Sequence, residues 1–252
     1  MRQAVHAEWT KLRTLPSTGW LLLAIVALTV LAAAATTAPV GTSHCPPAGC
    51  FEDTTKLSLG GVRLSQVAVV VFAVLMIGNE YGTGMIQITL TANPRRPSVL
   101  LAKALVLTGA VLVTGSLAVL GSLAVGGAIL NHNGFDGYGG PMWQAGFGTV
   151  VYLVLVGLLA LGVGTALRDT AGAITAMLAL LFLAPVITGL VHDPDWRTWL
   201  DKLSPMQAGL AIQNTMRLDR LPIGPWAGLG VLAAWAAAAI ALGGLVLVAR
   251  DV

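Results

Sequence analysis

Charge is what this sequence has least of. Only 10% of its 252 residues are Asp, Glu, Lys or Arg, against about 25% in soluble domains. So few charges cannot cover a water-facing surface. With 56% hydrophobic residues and a mean hydropathy of +0.82, the solvent for most of this chain is lipid. The middle of every long apolar run also lacks ionisable groups, and the four histidines, His6, His44, His132 and His192, all fall outside the runs. Proton relays and buried metal centres need such groups at membrane depth. Their absence argues against an ion-coupled transporter and against an intramembrane hydrolase. There is no HExxH metal pair, no GxSxG nucleophile elbow and no GxxxxGK[ST] phosphate loop. The expectation is a non-enzyme with no catalytic residue, no metal and no cofactor of its own. The net charge of +3 is scattered, so no Lys/Arg block points to nucleic acid.

What the sequence has is six apolar runs, at about 18–38, 62–80, 99–130, 142–167, 171–191 and 226–249. Each approaches or exceeds the roughly 20 residues that cross a bilayer as a helix. The second is the weakest, with Arg63 placed to snorkel at its outer end. The first, GWLLLAIVALTVLAAAATTA (19–38), ends in small residues that resemble a cleavage site. Its length is that of a span, however, and a signal-peptide core has only about 7–15 residues. The chain therefore reads as one all-α integral membrane domain over 1–252. Pro185 should kink the fifth span. Thr108, Thr114, Ser116, Thr149, Tyr152, Thr165, Thr175 and Thr188 either line a cavity or bond their own helix backbones, the commoner use. Small-residue spacings such as Ser122/Gly126, Ala160/Gly164 and Gly230/Ala234 permit close helix contact.

Orientation follows from Lys and Arg. With the N-terminus inside, the inner segments hold eight basic residues and four acids, and the outer segments six and seven. Most outer basics lie in the longer 192–225 loop, where they count least. This predicts cytoplasmic N- and C-termini in a multi-pass plasma-membrane protein. Cys45 and Cys50, in HCPPAGC (44–50), then face outside, where a disulfide clip is expected. The alternatives are two free thiols or a metal site with His44, whose three ligands in one Pro-rich turn make a poor tetrahedral set.

Two segments are neither spans nor simple loops. RQAVHAEWTKLR (2–13) puts Val5, Trp9 and Leu12 on one helical face, as in an interfacial helix with Trp9 at headgroup depth. Segment 192–225 puts Trp196, Trp199, Leu200 and Leu203 on one face, and Met206, Leu210, Ile212 and Met216 in a second short helix at about 206–217. Ser204 before Pro205 marks a helix start. The alternative is an ordinary structured outer loop.

A third segment interrupts the apolar runs at 78–103, GNEYGTGMIQITLTANPRRPSVLLAK. Gly82 and Gly84 let the chain turn out of the second span, and Ser98 is placed to cap the third. Ile86, Ile88 and Leu90 alternate with Gln87, Thr89 and Thr91 like a strand, but an isolated strand on a membrane has unpaired edges. Propensity thus leaves helix or strand open.

The stretch resembles the type-2 ABC transporter permeases. The resemblance is carried by Glu80 and Gly84, by Leu90, Thr91, Pro94 and Arg96 in the Thr-rich run, and by Lys103 early in the next span. EWTKLRTLPSTGWLLL (8–23) is similar to the start of actinobacterial members. LSPMQAG (203–209) and PWAGLGVLAAWAAAAIALGGLVLVARDV (225–252) resemble their last loop and final helix. The resemblance implies an N-terminal elbow helix at 3–14 carrying Val5, Trp9 and Leu12, and outer re-entrant helices at 194–217. It implies a coupling helix at 81–97 that docks on a separate cytosolic ATPase, with Glu80, Tyr81, Gly82, Gly84, Gln87, Thr91, Pro94, Arg95 and Arg96 as its site residues. It further implies a permease homodimer on an ATPase dimer, with ATP and Mg held by the partner. Arg95 and Arg96 between two prolines depart from the usual pattern and shorten the coupling segment. The expected function is the membrane half of an exporter for an apolar or amphipathic small molecule: an antibiotic, lipid or lipopeptide. A non-transporting immunity or structural protein is the alternative.

Overall fold

The structure is a computed structural model. It describes residues 2–14, 16–41, 52–85, 96–135, 138 and 140–249. Among them the regular structure is helical throughout, with no strand. The helices are α1 (Arg2–Thr14), α2 (Pro16–Thr37), α3 (Thr54–Ser58), α4 (Val62–Gly82), α5 (Arg96–His132), α6 (Met142–Leu167), α7 (Thr170–Leu190), α8 (Pro194–Leu203), α9 (Pro205–Leu210) and α10 (Pro225–Ala249). Single 3-10 turns at Ala211–Gln213 and Leu218–Arg220 lie between α9 and α10. Six helices, α2, α4, α5, α6, α7 and α10, are long and apolar enough to span a membrane. A multi-pass membrane architecture is thus borne out. At 37 residues, α5 is about 55 Å long, so it must tilt in or project from a hydrocarbon layer about 30 Å thick.

Burial separates the spans into a centre and a rim. In their most apolar stretches α6 is 67% buried and α4 61%, whereas α2 and α7 are each 22% and α10 28%. Tyr152, Leu153, Val156, Leu159 and Leu161 of α6 pack with Val69, Val70, Phe72 and Val74 of α4 in the main core. The rim helices turn rows of large apolar side chains outward: Leu23, Leu28 and Leu31 on α2, Leu183, Val186 and Leu190 on α7, and Leu242, Leu245 and Val248 on α10. In water such rows would be a fault. Against acyl chains they are what a spanning helix presents.

Polar residues in the spans mostly serve the backbone. The hydroxyls of Thr114, Thr149 and Thr165 donate to the carbonyls of Ala110, Ala145 and Leu161, one turn back, and Thr188 donates to Pro185. Helix α7 runs on through Pro185. Of the spacings singled out, Gly126 makes a close contact, where a Cβ would lie 2.4 Å from Ser58 Oγ of α3; a close pair that spacing did not single out is Gly243 of α10, where a Cβ would lie 2.7 Å from the Gly162 oxygen of α6. Gly164 does approach α4, at Ile77, while Gly230 meets nothing.

At the bundle end away from α1, Asp53 pins two connections together. Its carboxylate accepts from the Thr215 amide at 2.7 Å, the Thr215 hydroxyl at 2.8 Å and the Met216 amide at 3.2 Å. Ser204 caps α9 by accepting from the Gln207 amide, as its place before Pro205 predicts. The second short helix is shorter than the expected 206–217. It ends at Leu210, gives one 3-10 turn, and breaks where Asn214 is extended and Arg217 adopts φ +51°. In α8, Trp196, Trp199 and Leu203 are exposed on one face, while α9 is buried against α10 and Tyr152.

Candidate functional site: a buried ion cluster beside segment 81–97

Helix α4 leaves the bundle by a defined exit. It ends at Gly82, with the Thr83 amide donating back to Asn79, and Gly84 turns the chain with φ +70°. That left-handed value favours a residue without a Cβ, which glycine supplies. Gly82 itself is still helical and meets nothing nearby. Residues 86–95 lie outside the described residues, so the helix-or-strand alternative, Gln87, Thr91, Pro94 and Arg95 fall there, as do Cys45 and Cys50. Helix α5 begins at Arg96, with Pro97 in its first turn. Ser98 is therefore inside the helix rather than at its cap.

The two ends of the segment are held by one ion cluster. Lys103, in the third turn of α5, is fully buried. Its ammonium donates to Glu8 Oε2 at 2.8 Å, to Glu80 Oε1 at 2.6 Å and to the Met76 carbonyl at 3.2 Å. Three acceptors match the three N–H groups of an ammonium. Lys11 donates to Glu8 Oε1 at 2.9 Å and to the same Glu80 oxygen at 2.6 Å. Two carboxylates and two ammoniums thus form a neutral group joining α1, α4 and α5. Neutrality matters, because each charge taken from water costs several kcal/mol and is repaid only by close, fully bonded partners. Around Lys11, burial acts against its charge, but the hydrogen bonds it donates to Glu80 and Glu8 outweigh it and hold the ammonium above the ordinary lysine range.

A second contact lies one residue further along. The Arg168 guanidinium sits over the Tyr81 ring at 5.7 Å and donates to the Val246 carbonyl at 3.1 Å. Arg168 follows α6 in a left-handed conformation, φ +57°. Adjacent residues at the end of α4 are thus tied in two directions. Glu80 reaches α1 and α5, and Tyr81 reaches the ends of α6 and α10.

Of the residues predicted for this site, Glu80, Tyr81 and Gly84 have definite structural places, and the Arg96 backbone opens α5. On α1, Leu12 packs against the core, Val5 is half-buried and Trp9 is 47% exposed. Among the described side chains of α1 the most buried is Glu8, at 5% exposure, not a member of the Val5/Trp9/Leu12 face. Sequence reasoning missed Glu8 and Lys11 as site residues. The available signal was their i, i+3 spacing together with Glu80 and Lys103, opposite charges at the facing ends of successive spans.

Near the other end of the bundle, Tyr152 is fully buried and donates to Gln66 Oε1, while Gln66 donates to Met206 Sδ at 3.5 Å. This links α6, α4 and α9 but holds no titratable pair. No group of three His, Cys, Asp or Glu side chains able to hold a metal occurs among the described residues. No protein-family model matches the chain, and no curated protein matches it.

Proposed function

We propose that this chain is the membrane-spanning permease subunit of an ATP-driven exporter of the type-2 ABC class. It works with a separate cytosolic ATPase that holds ATP and Mg, as a permease homodimer on an ATPase dimer. It sits in a bacterial cell membrane with both termini cytoplasmic. In this reading α1 is the elbow helix, α8 and α9 are the outer re-entrant helices, and 81–97 is the coupling element. The charge-poor spans suit an apolar or amphipathic cargo: an antibiotic, lipid or lipopeptide.

The observation that carries the reading is the anchoring of both ends of segment 81–97. Glu80 precedes it and Lys103 follows it, and the two meet at 2.6 Å in a cluster shared with α1. A push on the segment cannot be absorbed by independent bending of α4 and α5. It moves α1, α4 and α5 together and reaches α6 and α10 through Tyr81 and Arg168. That is the mechanical requirement for passing an ATPase movement to the spans. Purification of the chain with its ATPase, followed by a cargo screen for stimulated ATP hydrolysis, tests the proposal. Stimulation by an amphipathic compound is expected. A stable complex with no stimulation and no export would favour a non-transporting membrane protein.

A further inference from the structure

At the bundle end away from α1, a cavity of about 170 Å³ lies between α3, the start of α4 and the connection from α8 to α10. It is smaller than the roughly 300–1,000 Å³ of a site for a drug-sized molecule, so it has room for a headgroup rather than a whole ligand. Two cations line it, Lys56 of α3 and Arg63 in the first turn of α4, together with one acid, Asp201. Both cations are exposed, so a ligand can reach them. Neither forms an ion pair with any described residue. Asp201 accepts from the Gln207 side-chain amide at 3.3 Å. Asp53, beside Lys56 in sequence, has both oxygens engaged by the Lys56 amide, Thr215 and Met216. Two cations against one acid leave the lining with an excess of positive charge. Gln213 belongs to the wall although it is only 3% exposed, so the cavity reaches below the surface layer.

The surroundings place this charge at headgroup depth. Spans α4 and α10 both begin at this end. Leu64, next to Arg63, is exposed, as are Trp226 at the start of α10 and Trp196 and Trp199 on α8. Exposed tryptophans at span ends mark the boundary between acyl chains and water, which is where lipid phosphates lie. Leu221 and Ile223 add apolar surface to the same cavity.

We propose that this cavity binds a phosphoester anion, as carried by an anionic lipid headgroup, with Lys56 and Arg63 on the phosphate and the acyl chains entering the bilayer beside Leu64. A phosphoester free in water has the same chemistry and is told apart by the test. Such binding requires neither the exporter reading nor an ATPase.

The test is native mass spectrometry of the full chain in detergent, titrated in parallel with phosphatidylglycerol, diacylglycerol of the same chains and glycerol phosphate. Ion pairs at exposed side chains are individually weak, so phosphatidylglycerol should be retained about fivefold or more over diacylglycerol. Lys56→Gln with Arg63→Gln should abolish that preference, each single variant should reduce it, and the melting midpoint shows that the variants are folded. Arg197→Gln removes an exposed cation that does not line the cavity and should leave the preference intact. Retention of phosphatidylglycerol without glycerol phosphate assigns the site to a lipid headgroup. Retention of both assigns recognition to the phosphoester itself, and glycerol phosphate without the lipid assigns the site to a soluble phosphoester. Equal retention of phosphatidylglycerol and diacylglycerol with no retention of glycerol phosphate, an equal loss in Arg197→Gln, or a preference unchanged in the folded double variant would overturn the proposal.

Discussion

Lys103→Met removes the fully buried member of the cluster and leaves two carboxylates sharing Lys11. The side chain of Lys103 is 0% exposed and its acid partners 6%, so solvent cannot replace the lost ammonium. Breaking a buried pair from one side costs about 3–5 kcal/mol. In a chain this long each kcal/mol moves a melting midpoint by about 2–4 °C, so the expected fall is roughly 6–20 °C. Intrinsic tryptophan fluorescence of detergent-purified protein reads it, since the chain has seven Trp. The control is the double variant Lys103→Met with Glu80→Gln. It removes one charge of each sign and leaves the Glu8–Lys11 pair neutral. If the cost is uncompensated charge, the double variant recovers more than half of the loss, a non-additivity typical of contacting residues. A single-variant shift within 2 °C of the parent, on the scale set by these costs, would refute the cluster as a structural lock. So would a double variant whose loss equals the sum of the single losses.

Other outcomes follow from named contacts. Gly162→Val should destabilise by about 1–3 kcal/mol or more by forcing α6 from α10, while Gly230→Ala, which meets nothing, should be neutral or slightly stabilising in the same melt. The raised Lys11 pKa means that its contribution is complete below the ordinary lysine pKa and lost as pH rises through the folded value. The midpoint should therefore fall at strongly alkaline pH, and Lys11→Met should remove that part of the fall. In a cysteine-free background, a Cys at exposed Arg197 should react with an impermeant reagent from outside whole cells and one at Thr14 should not; the reverse would overturn the orientation. Non-reduced mass spectrometry should find Cys45 linked to Cys50, and two freely alkylated thiols would reject the clip.

The six spans were legible because lipid imposes a simple rule: a long run without charge has to be a helix with its own backbone bonded. Ser204 before Pro205 was legible for a local reason, since the cap needs only that hydroxyl and the next turn. The break after Leu210 was not. Met206, Leu210, Ile212 and Met216 keep a helical period, but Asp53, some 160 residues away, takes the Thr215 and Met216 amides out of the helical pattern. The ion cluster was half legible. Glu80 and Lys103 stand out at span ends, but Glu8 and Lys11 look like ordinary charges on an interfacial helix. Their role depends on how α1 folds back against α4 and α5, which is a tertiary fact. Trp9 drew attention to a neighbouring stripe of the helix because a large aromatic dominates any apolar face read from one sequence.

In the proposed exporter, residues 81–97 couple a partner ATPase to the spans. Exposed single ion pairs are worth only about 0–1 kcal/mol, so the decisive variant reverses both charges, Arg95→Glu with Arg96→Glu. The measurement is cargo-stimulated ATP hydrolysis by the purified complex. The expected variant inserts normally, keeps the parent's melting midpoint and loses stimulation. Parental hydrolysis and export by the variant would contradict it and leave the segment a loop.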